Sequence, residues 1–361
     1  MTSQTAYLVL QNGRVFKGKR FGSRASAMGE IVFTTSMTGY LETLSDPSYY
    51  GQFVVQTFPT IGNYGVIPED FESPRPHLKA YIVREHCEYP SNFRCIGTLD
   101  HHLQSTGTIG LYDMDTRALT KTIREAGVMN ACILDSLDAI DETINALANF
   151  SIQGAVNRVT CKARQVFHAE KHKRTVVLWD FGTKDTIQRE LLKRGCDVIR
   201  VPAQTKAEAI LADHPDGIML SNGPGDPKDN PSIIQEIKAI CASNIPIFGI
   251  CLGHQLLALA NGMTSEKMKY GHRGENQPVK DTTTGRVYIT SQNHGYALRY
   301  QPDSNIDMRF VNVNDGTCEG LSYRTIPAFS VQFHPEACAG PLDTLMLFDE
   351  FIERMEEKTC R

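Results

Sequence analysis

From residue 176 onward, short apolar runs alternate with amphipathic segments, and this regularity restricts the fold more than any other feature of the chain. Apolar runs at 176–179, 198–201, 217–220 and 245–250 predict strands. Between them, 186–195, 206–213 and 232–242 carry helical spacing, and 255–260 forms a further helix before Asn261-Gly262. Strands alternating with helices of this length predict a parallel sheet covered on both faces, an α/β class domain. In such folds ligands sit beyond the carboxyl ends of the strands, so the strand-to-helix turns are where chemistry is to be sought. The remainder is strand-rich, with strands predicted over 286–290, 308–313 and 328–333 and a final helix from 341 to about 355.

The first 150 residues read differently. Gln11-Asn12-Gly13 between apolar runs at 7–10 and 14–16 is a hairpin signal. Further strands are expected at 31–33, 53–57 and 80–83, with helices over 116–126, which stops at Gly127, and 138–149. Residues 151–174 hold one glycine and the cationic cluster His168-Ala169-Glu170-Lys171-His172-Lys173-Arg174, read as a solvated linker. The expected organisation is therefore an N-terminal domain over 1–150 and a second domain over 175–361, in keeping with a length of 361 residues.

Composition excludes several classes. A net charge of −4 gives no basic footprint, so nucleic acid is not an expected partner. No apolar run approaches the roughly eighteen residues of a membrane span, and the first residues lack the blocks of a signal peptide. Ten cysteines lie scattered at 87, 95, 132, 161, 196, 241, 251, 318, 338 and 360, with no C-x-x-C pair. They fit a reduced, cytoplasmic protein in which most thiols pack as small hydrophobes.

Cys251 is the exception. Ile247-Phe248-Gly249-Ile250-Cys251-Leu252-Gly253-His254-Gln255 runs from an apolar strand into a helix. This is the thiol form of the nucleophile elbow, in which flanking glycines remove Cβ clashes at a sharp turn. The turn exposes the sulfur above the sheet and aims the Leu252 N–H at an oxyanion beside it. The helix N-terminus favours thiolate over thiol. A thiolate needs a proton partner, and His334, after the strand Phe329-Ser330-Val331-Gln332-Phe333, is the candidate. If the chain stays extended, His334 and Glu336 share a face, and the carboxylate fixes the tautomer that meets sulfur. Leu220-Ser221-Asn222-Gly223-Pro224-Gly225-Asp226-Pro227 follows another strand and offers the Gly223 N–H to the same oxyanion. Gln292-Asn293-His294-Gly295-Tyr296 is a third glycine-containing loop, read as a clamp for the polar end of a small ligand. His272, His294 and His101-His102 have no metal-ligand neighbours in sequence, and no metal site is expected.

Gly-Ile-Cys-Leu-Gly-His-Gln with a later Phe-His-Pro-Glu resembles the class I (triad) glutamine amidotransferases. The N-terminal half narrows the resemblance. Residues 29–40 (Gly-Glu-Ile-Val-Phe-Thr-Thr-Ser-Met-Thr-Gly-Tyr), Ser45-Asp46-Pro47-Ser48-Tyr49, Ile61-Gly62-Asn63-Tyr64-Gly65 and Asp115-Thr116-Arg117-Ala118-Leu119-Thr120 are similar to the small subunits of carbamoyl-phosphate synthase. Asp180-Phe181-Gly182 adds to the match. The sequence departs from that pattern at Lys184-Asp185-Thr186, Tyr112-Asp113-Met114 and Cys338-Ala339.

The resemblance implies a flavodoxin-like parallel-sheet amidotransferase domain preceded by a smaller mixed β/α N-terminal domain. It implies a catalytic set of Cys251, His334 and Glu336, and glutamine contacts at Ser48, Gly223, Gly225, Leu252, Gln255, Asn293, Gly295 and Tyr296. Ammonia released from L-glutamine would pass to a large subunit that makes carbamoyl phosphate from bicarbonate, for arginine or pyrimidine synthesis. No cofactor is implied on this chain; ATP and Mg2+ belong to that large subunit. An amidotransferase subunit of another synthetase, a non-catalytic paralogue and a cysteine peptidase are the competing readings.

Overall fold

The computed structural model describes residues 4–302, 305–337 and 339–359. Cys338 and Cys360 lie outside the described residues, as does the departure at Cys338. The chain divides into two compact units, Met1–Ala155 and Val156–Arg361.

In the first unit the Asn-Gly hairpin forms as read: Thr5–Leu10 pairs antiparallel with Val15–Gly22, and Gly13 turns at φ 82°. These strands close a barrel with Ala27–Thr34, Gln52–Gln56, Ala80–Ile82, Ile109–Tyr112 and Met129–Leu134. The run from Ala27–Thr34 through Gln52–Gln56 and Ala80–Ile82 to Ile109–Tyr112 is parallel, and parallel neighbours need long crossovers. Helices Tyr40–Ser45 and Leu99–Thr106 lie within two of these connections. Helix Thr116–Ala126 has the predicted bounds, capped by the Asp115 carboxylate on Ala118 N–H at 3.0 Å and stopped at Gly127. Strand alternation sorts side chains into two cores, Leu8, Ile31, Phe53 and Ile82 in one and Val32, Val54 and Tyr81 in the other.

The second unit is built on a sheet of ten strands among the described residues. Its centre is parallel, in the order Cys196–Pro202, Arg174–Asp180, Gly217–Leu220, Ile247–Ile250 and Ala328–Val331. All five carboxyl ends point one way. One face buries Val177, Trp179 and Ile218 under helices Ala207–Ala212, Pro231–Cys241 and Leu252–Ala260. The other buries Val176, Leu178, Phe248 and Phe329 under helices Asp185–Lys193 and Met346–Thr359. Phe248 and Phe329 stack at 4.3 Å between centroids, which adds about 0.5–1.5 kcal/mol beyond the area buried.

Three expectations are corrected. The segment read as a linker supplies helix Ala155–Val159 and edge strand Gln165–Phe167, which pairs antiparallel with Cys196–Pro202. Its basic cluster is held by Asp197, which accepts Ala169 N–H at 2.9 Å and meets His168 at 2.8 Å and His172 at 3.3 Å. The presumed loop 292–296 lies inside strand Val287–Arg299, paired with the 18-residue strand Thr264–Asp281. Bulges between Lys267 and His272 and between Gly274 and Gln277 break the alternation that would have marked that hairpin. The last helix begins at Met346, after a turn over 343–345, and not at Pro341.

Candidate functional site

The strand Ile247–Ile250 runs directly into helix Leu252–Ala260, and the single residue between them is Cys251. Its backbone sits at φ 52°, ψ −103°, a conformation that costs an L-residue about 1–3 kcal/mol. Three hydrogen bonds hold it there: Cys251 N–H to Val331 O at 2.8 Å, Gly253 N–H to Ser221 O at 3.0 Å, and Gln255 N–H to Cys251 O at 3.1 Å. The flanking glycines are required by space. A Cβ on Gly253 would lie 2.3 Å from Leu220 O, and one on Gly249 would lie 2.9 Å from Gly253 O.

The loop after Gly217–Leu220 packs backbone-first against this elbow. A Cβ on Gly223 would stand 2.4 Å from Phe181 O and 2.8 Å from the Leu252 side chain, so Gly223 and Leu252 are in contact. Leu252 N–H opens a helix and has no intrahelical acceptor. The loop is tied down by Ser221, whose Oγ accepts Phe181 N–H at 2.9 Å, and by Asn222, whose Oδ1 accepts Lys184 N–H at 3.0 Å. Gly225 turns the chain at φ 93°.

His334 and Cys251 both pack against the same stretch of strand Val287–Arg299. His334 N–H donates to Ser291 O at 2.9 Å, and the Cys251 sulfur lies 3.7 Å from Asn293 O. The segment after Phe333 does not stay extended: Ala337 N–H returns to His334 O at 3.3 Å, closing a turn. That turn still brings His334 Nδ1 to 2.7 Å from Glu336 Oε1. The His334 Nε2 atom is buried and has no hydrogen-bond partner, leaving it as the nitrogen able to take a proton. Behind Glu336 stands Lys184, its Nζ 3.3 Å from Oε1. Burial pushes the Glu336 carboxyl upward, but the charges of Lys184 and His334 outweigh it and hold the pKa at about 2. Lys184 entered the sequence reading only as part of a family departure. Its place at the mouth of a strand-to-helix turn, after Asp180-Phe181-Gly182, was the signal available.

The remaining expected ligand contacts divide between the two units. Gln255 Nε2 donates to Tyr296 O and to Gln332 Oε1, both at 2.9 Å, so Gln255, Tyr296 and the elbow share one wall. Asn293 pairs with Arg273 across the hairpin, and a Cβ on Gly295 would lie 3.1 Å from Arg273 Nη2. Ser48 belongs to the first unit, buried in the short helix Pro47–Tyr49 with its N–H donated to Asp46 Oδ1 at 2.8 Å. The eight described cysteines are free thiols.

The structure supplies His272 and His294 with neighbours that the sequence did not reveal. Their nitrogens and the Glu319 carboxylate lie within 4.8 Å of one another, the group among the described residues best placed to hold a metal ion. Each is already engaged by protein. His272 Nε2 meets Asp315 at 2.9 Å, His294 Nδ1 meets Tyr296 O at 2.8 Å, and Glu319 Oε2 accepts Gln292 Nε2 at 3.1 Å. Burial opposes a charge on His272, yet Glu319 and Asp315 together raise its pKa above the usual imidazole value. Hydrogen bonds and close contacts within the protein, with His272 lying between the Asp315 and Glu319 side chains, are sufficient to account for the cluster.

Residues 177–354 match the profile of class-I glutamine amidotransferases, and residues 8–133 match that of the carbamoyl-phosphate synthase small chain, CPSase domain. The second unit, with its strained cysteine at a parallel-sheet elbow, is thus a class-I glutamine amidotransferase domain. The carbamoyl phosphate synthase pyrimidine-specific small chain of Bacillus subtilis strain 168 is 50% identical over 97% of this chain and 95% of its own length. The small chain of Clostridium perfringens strain 13 is 49% identical over 96% and 99%. A solved glutamine amidotransferase from Thermotoga maritima is similar with a TM-score of 0.39 at 18% identity, over 53% of this chain and 87% of that one. The chain belongs to the carbamoyl-phosphate synthase small-chain family and is a glutamine amidotransferase subunit.

Proposed function

We propose that this chain hydrolyses the side-chain amide of L-glutamine at Cys251 and hands the ammonia to a large synthetase subunit. The observation that carries this reading is the relay behind the elbow: His334 Nδ1 on Glu336 at 2.7 Å, with Nε2 buried and unpartnered. The Cys251 thiolate attacks the amide carbon. Leu252 and Gly223 N–H groups receive the oxyanion, each donor contributing about 3–4 kcal/mol. His334 delivers the thiol proton to nitrogen as the C–N bond breaks, leaving a glutamyl thioester and ammonia. Water, deprotonated by the same imidazole, cleaves the thioester and restores the thiol. Glu336 keeps the proton on Nδ1 and stabilises the imidazolium that forms in between.

Gln255, Asn293, Gly295, Tyr296 and Gly225 bind the amino-acid end of glutamine, and Ser48 adds a contact from the first unit. The partner, by the family's two-chain naming, is the carbamoyl-phosphate synthase large subunit, which holds ATP and Mg2+ and makes carbamoyl phosphate from bicarbonate. The pyrimidine-specific name of the Bacillus subtilis relative supports pyrimidine synthesis as the destination, with arginine synthesis as the alternative. The eight described free thiols support the cytoplasm as its place of work, and no helix among the described residues is long and apolar enough to cross a membrane.

The test is Cys251→Ser in the complex with the large subunit. Glutamine-dependent carbamoyl phosphate synthesis should vanish while synthesis from free ammonia persists. Retained glutamine hydrolysis by the variant would remove Cys251 from the chemistry.

A further inference from the structure

One side chain beside the sulfur has no part in the scheme above. Gln332 follows strand Ala328–Val331, fully buried, with its N–H on Glu319 O at 2.8 Å. The parallel pairing of Ile250 with Val331 sets it next to Cys251, and its Nε2 lies 3.6 Å from the Cys251 sulfur. Which end of this amide faces the sulfur is fixed by a chain of hydrogen bonds. Tyr296 O is a backbone carbonyl and only accepts, so the Gln255 amide must present NH2 to it at 2.9 Å. The same NH2 group meets Gln332 at 2.9 Å, so Gln332 must offer its oxygen there. The Gln332 NH2 is thereby turned to the sulfur.

The sulfur thus lies between an acceptor, Asn293 O at 3.7 Å, and a donor, Gln332 Nε2 at 3.6 Å. A thiol is served by the first, because its S–H can donate to a carbonyl. A thiolate is repelled by that carbonyl and served by the second. A donor aimed at the ionised form favours that form. We propose that Gln332 is a further catalytic residue of this site, stabilising the Cys251 sulfur as a thiolate through its side-chain N–H, with Gln255 as the positioning residue that orients it. This rests on Cys251 being the nucleophile. The ionisable side chains on the elements packed around the elbow include His334 with Glu336 and Lys184, the fully buried His254 on the elbow helix, and, on the hairpin and its neighbour, Arg273, Tyr296 and His294 with His272 and Glu319. All of them remain in place when only the Gln332 amide is changed.

The test follows alkylation of Cys251 by iodoacetamide across neutral and alkaline pH, read on the Cys251 peptide by mass spectrometry, in wild type, Gln332→Met and Gln332→Glu. The alkylation midpoint should move up by about one pH unit in Gln332→Met, which loses the donor, and further in Gln332→Glu, whose carboxylate would face the sulfur. Turnover of glutamine should fall in both variants. If Gln332→Met does not fold, the near-isosteric Gln332→Glu carries the same test alone. Midpoints equal to wild type, with alkylation still abolishing glutamine hydrolysis, would overturn the role of Gln332 and leave the nucleophile standing. Hydrolysis that survives complete alkylation of Cys251 would overturn both.

Discussion

The Lys184 ammonium lies 3.3 Å from Glu336 Oε1, the same oxygen that meets His334 at 2.7 Å, and both side chains of this ion pair are buried. The carboxylate behind the imidazole is therefore balanced from two sides. Breaking a buried pair by removing one partner leaves an uncompensated charge, a loss of about 3–5 kcal/mol. Lys184→Met should lower the stability of the second unit by that order in urea unfolding at neutral pH, and should slow glutamine turnover as the Glu336 carboxylate that orients the imidazole loses its fixed counter-charge.

Acid sensitivity follows from the same pair. The Glu336 pKa is depressed from an ordinary 4.5 to about 2, so the folded state binds its proton more weakly than the unfolded chain does. Its contribution to stability is complete above about pH 4.5 and is lost as pH falls through that value toward 2. Glu336→Gln should flatten the acid limb of a stability–pH curve in that window, measured by urea midpoints at successive pH values.

The order of catalytic losses separates proton transfer from orientation. His334→Asn should reduce glutamine turnover about 10²–10⁴-fold, the usual range for a general acid–base. Glu336→Gln keeps the imidazole and should cost less. Steady-state rates of the two variants decide this, and small, equal losses would reduce the segment to a structural turn.

Glycines at the elbow make a steric prediction. A methyl on Gly253 would meet Leu220 O at 2.3 Å, a backbone atom that cannot swing aside, whereas Gly262 has open space around its Cβ position. Gly253→Ala should destabilise the protein by about 1–3 kcal/mol through overpacking. Gly223→Ala, pressed against Phe181 O at 2.4 Å, should displace the proposed oxyanion donor and lose about 10²–10³-fold in turnover. Thermal melts and initial rates of the two variants test these separately.

Much of this site was legible because its chemistry is local in sequence. Cys251 stands between two glycines at a strand-to-helix junction, and apolar runs of four to six residues announced the parallel strands around it. The pairing of His334 with Glu336 was read correctly for an incorrect reason: the contact comes from a turn closed by Ala337 N–H, not from an extended strand. Lys184 and Gln332 were not legible, because each acts through a neighbour over a hundred or about eighty positions away that only the sheet order supplies. The hairpin Thr264–Asp281 with Val287–Arg299 was hidden by its bulges and polar residues, which erase the two-residue period. The barrel of the first unit was equally hidden, since closure depends on the order of strands rather than on any one of them.

Ser48 provides a prediction for the first unit. Ser48→Ala should raise the KM for glutamine, with the large subunit present and without it. Glutamine titrations in both states measure this, and an unchanged KM would confine the first unit to docking.

The central claim is a covalent intermediate on one sulfur. Wild-type protein mixed with glutamine, quenched in acid during steady state and digested, should carry a glutamyl adduct on the peptide containing Cys251 and on no other cysteine. The adduct should be absent in Cys251→Ser. Rapid production of glutamate with no adduct on Cys251, or with an adduct on a different cysteine, would contradict the account.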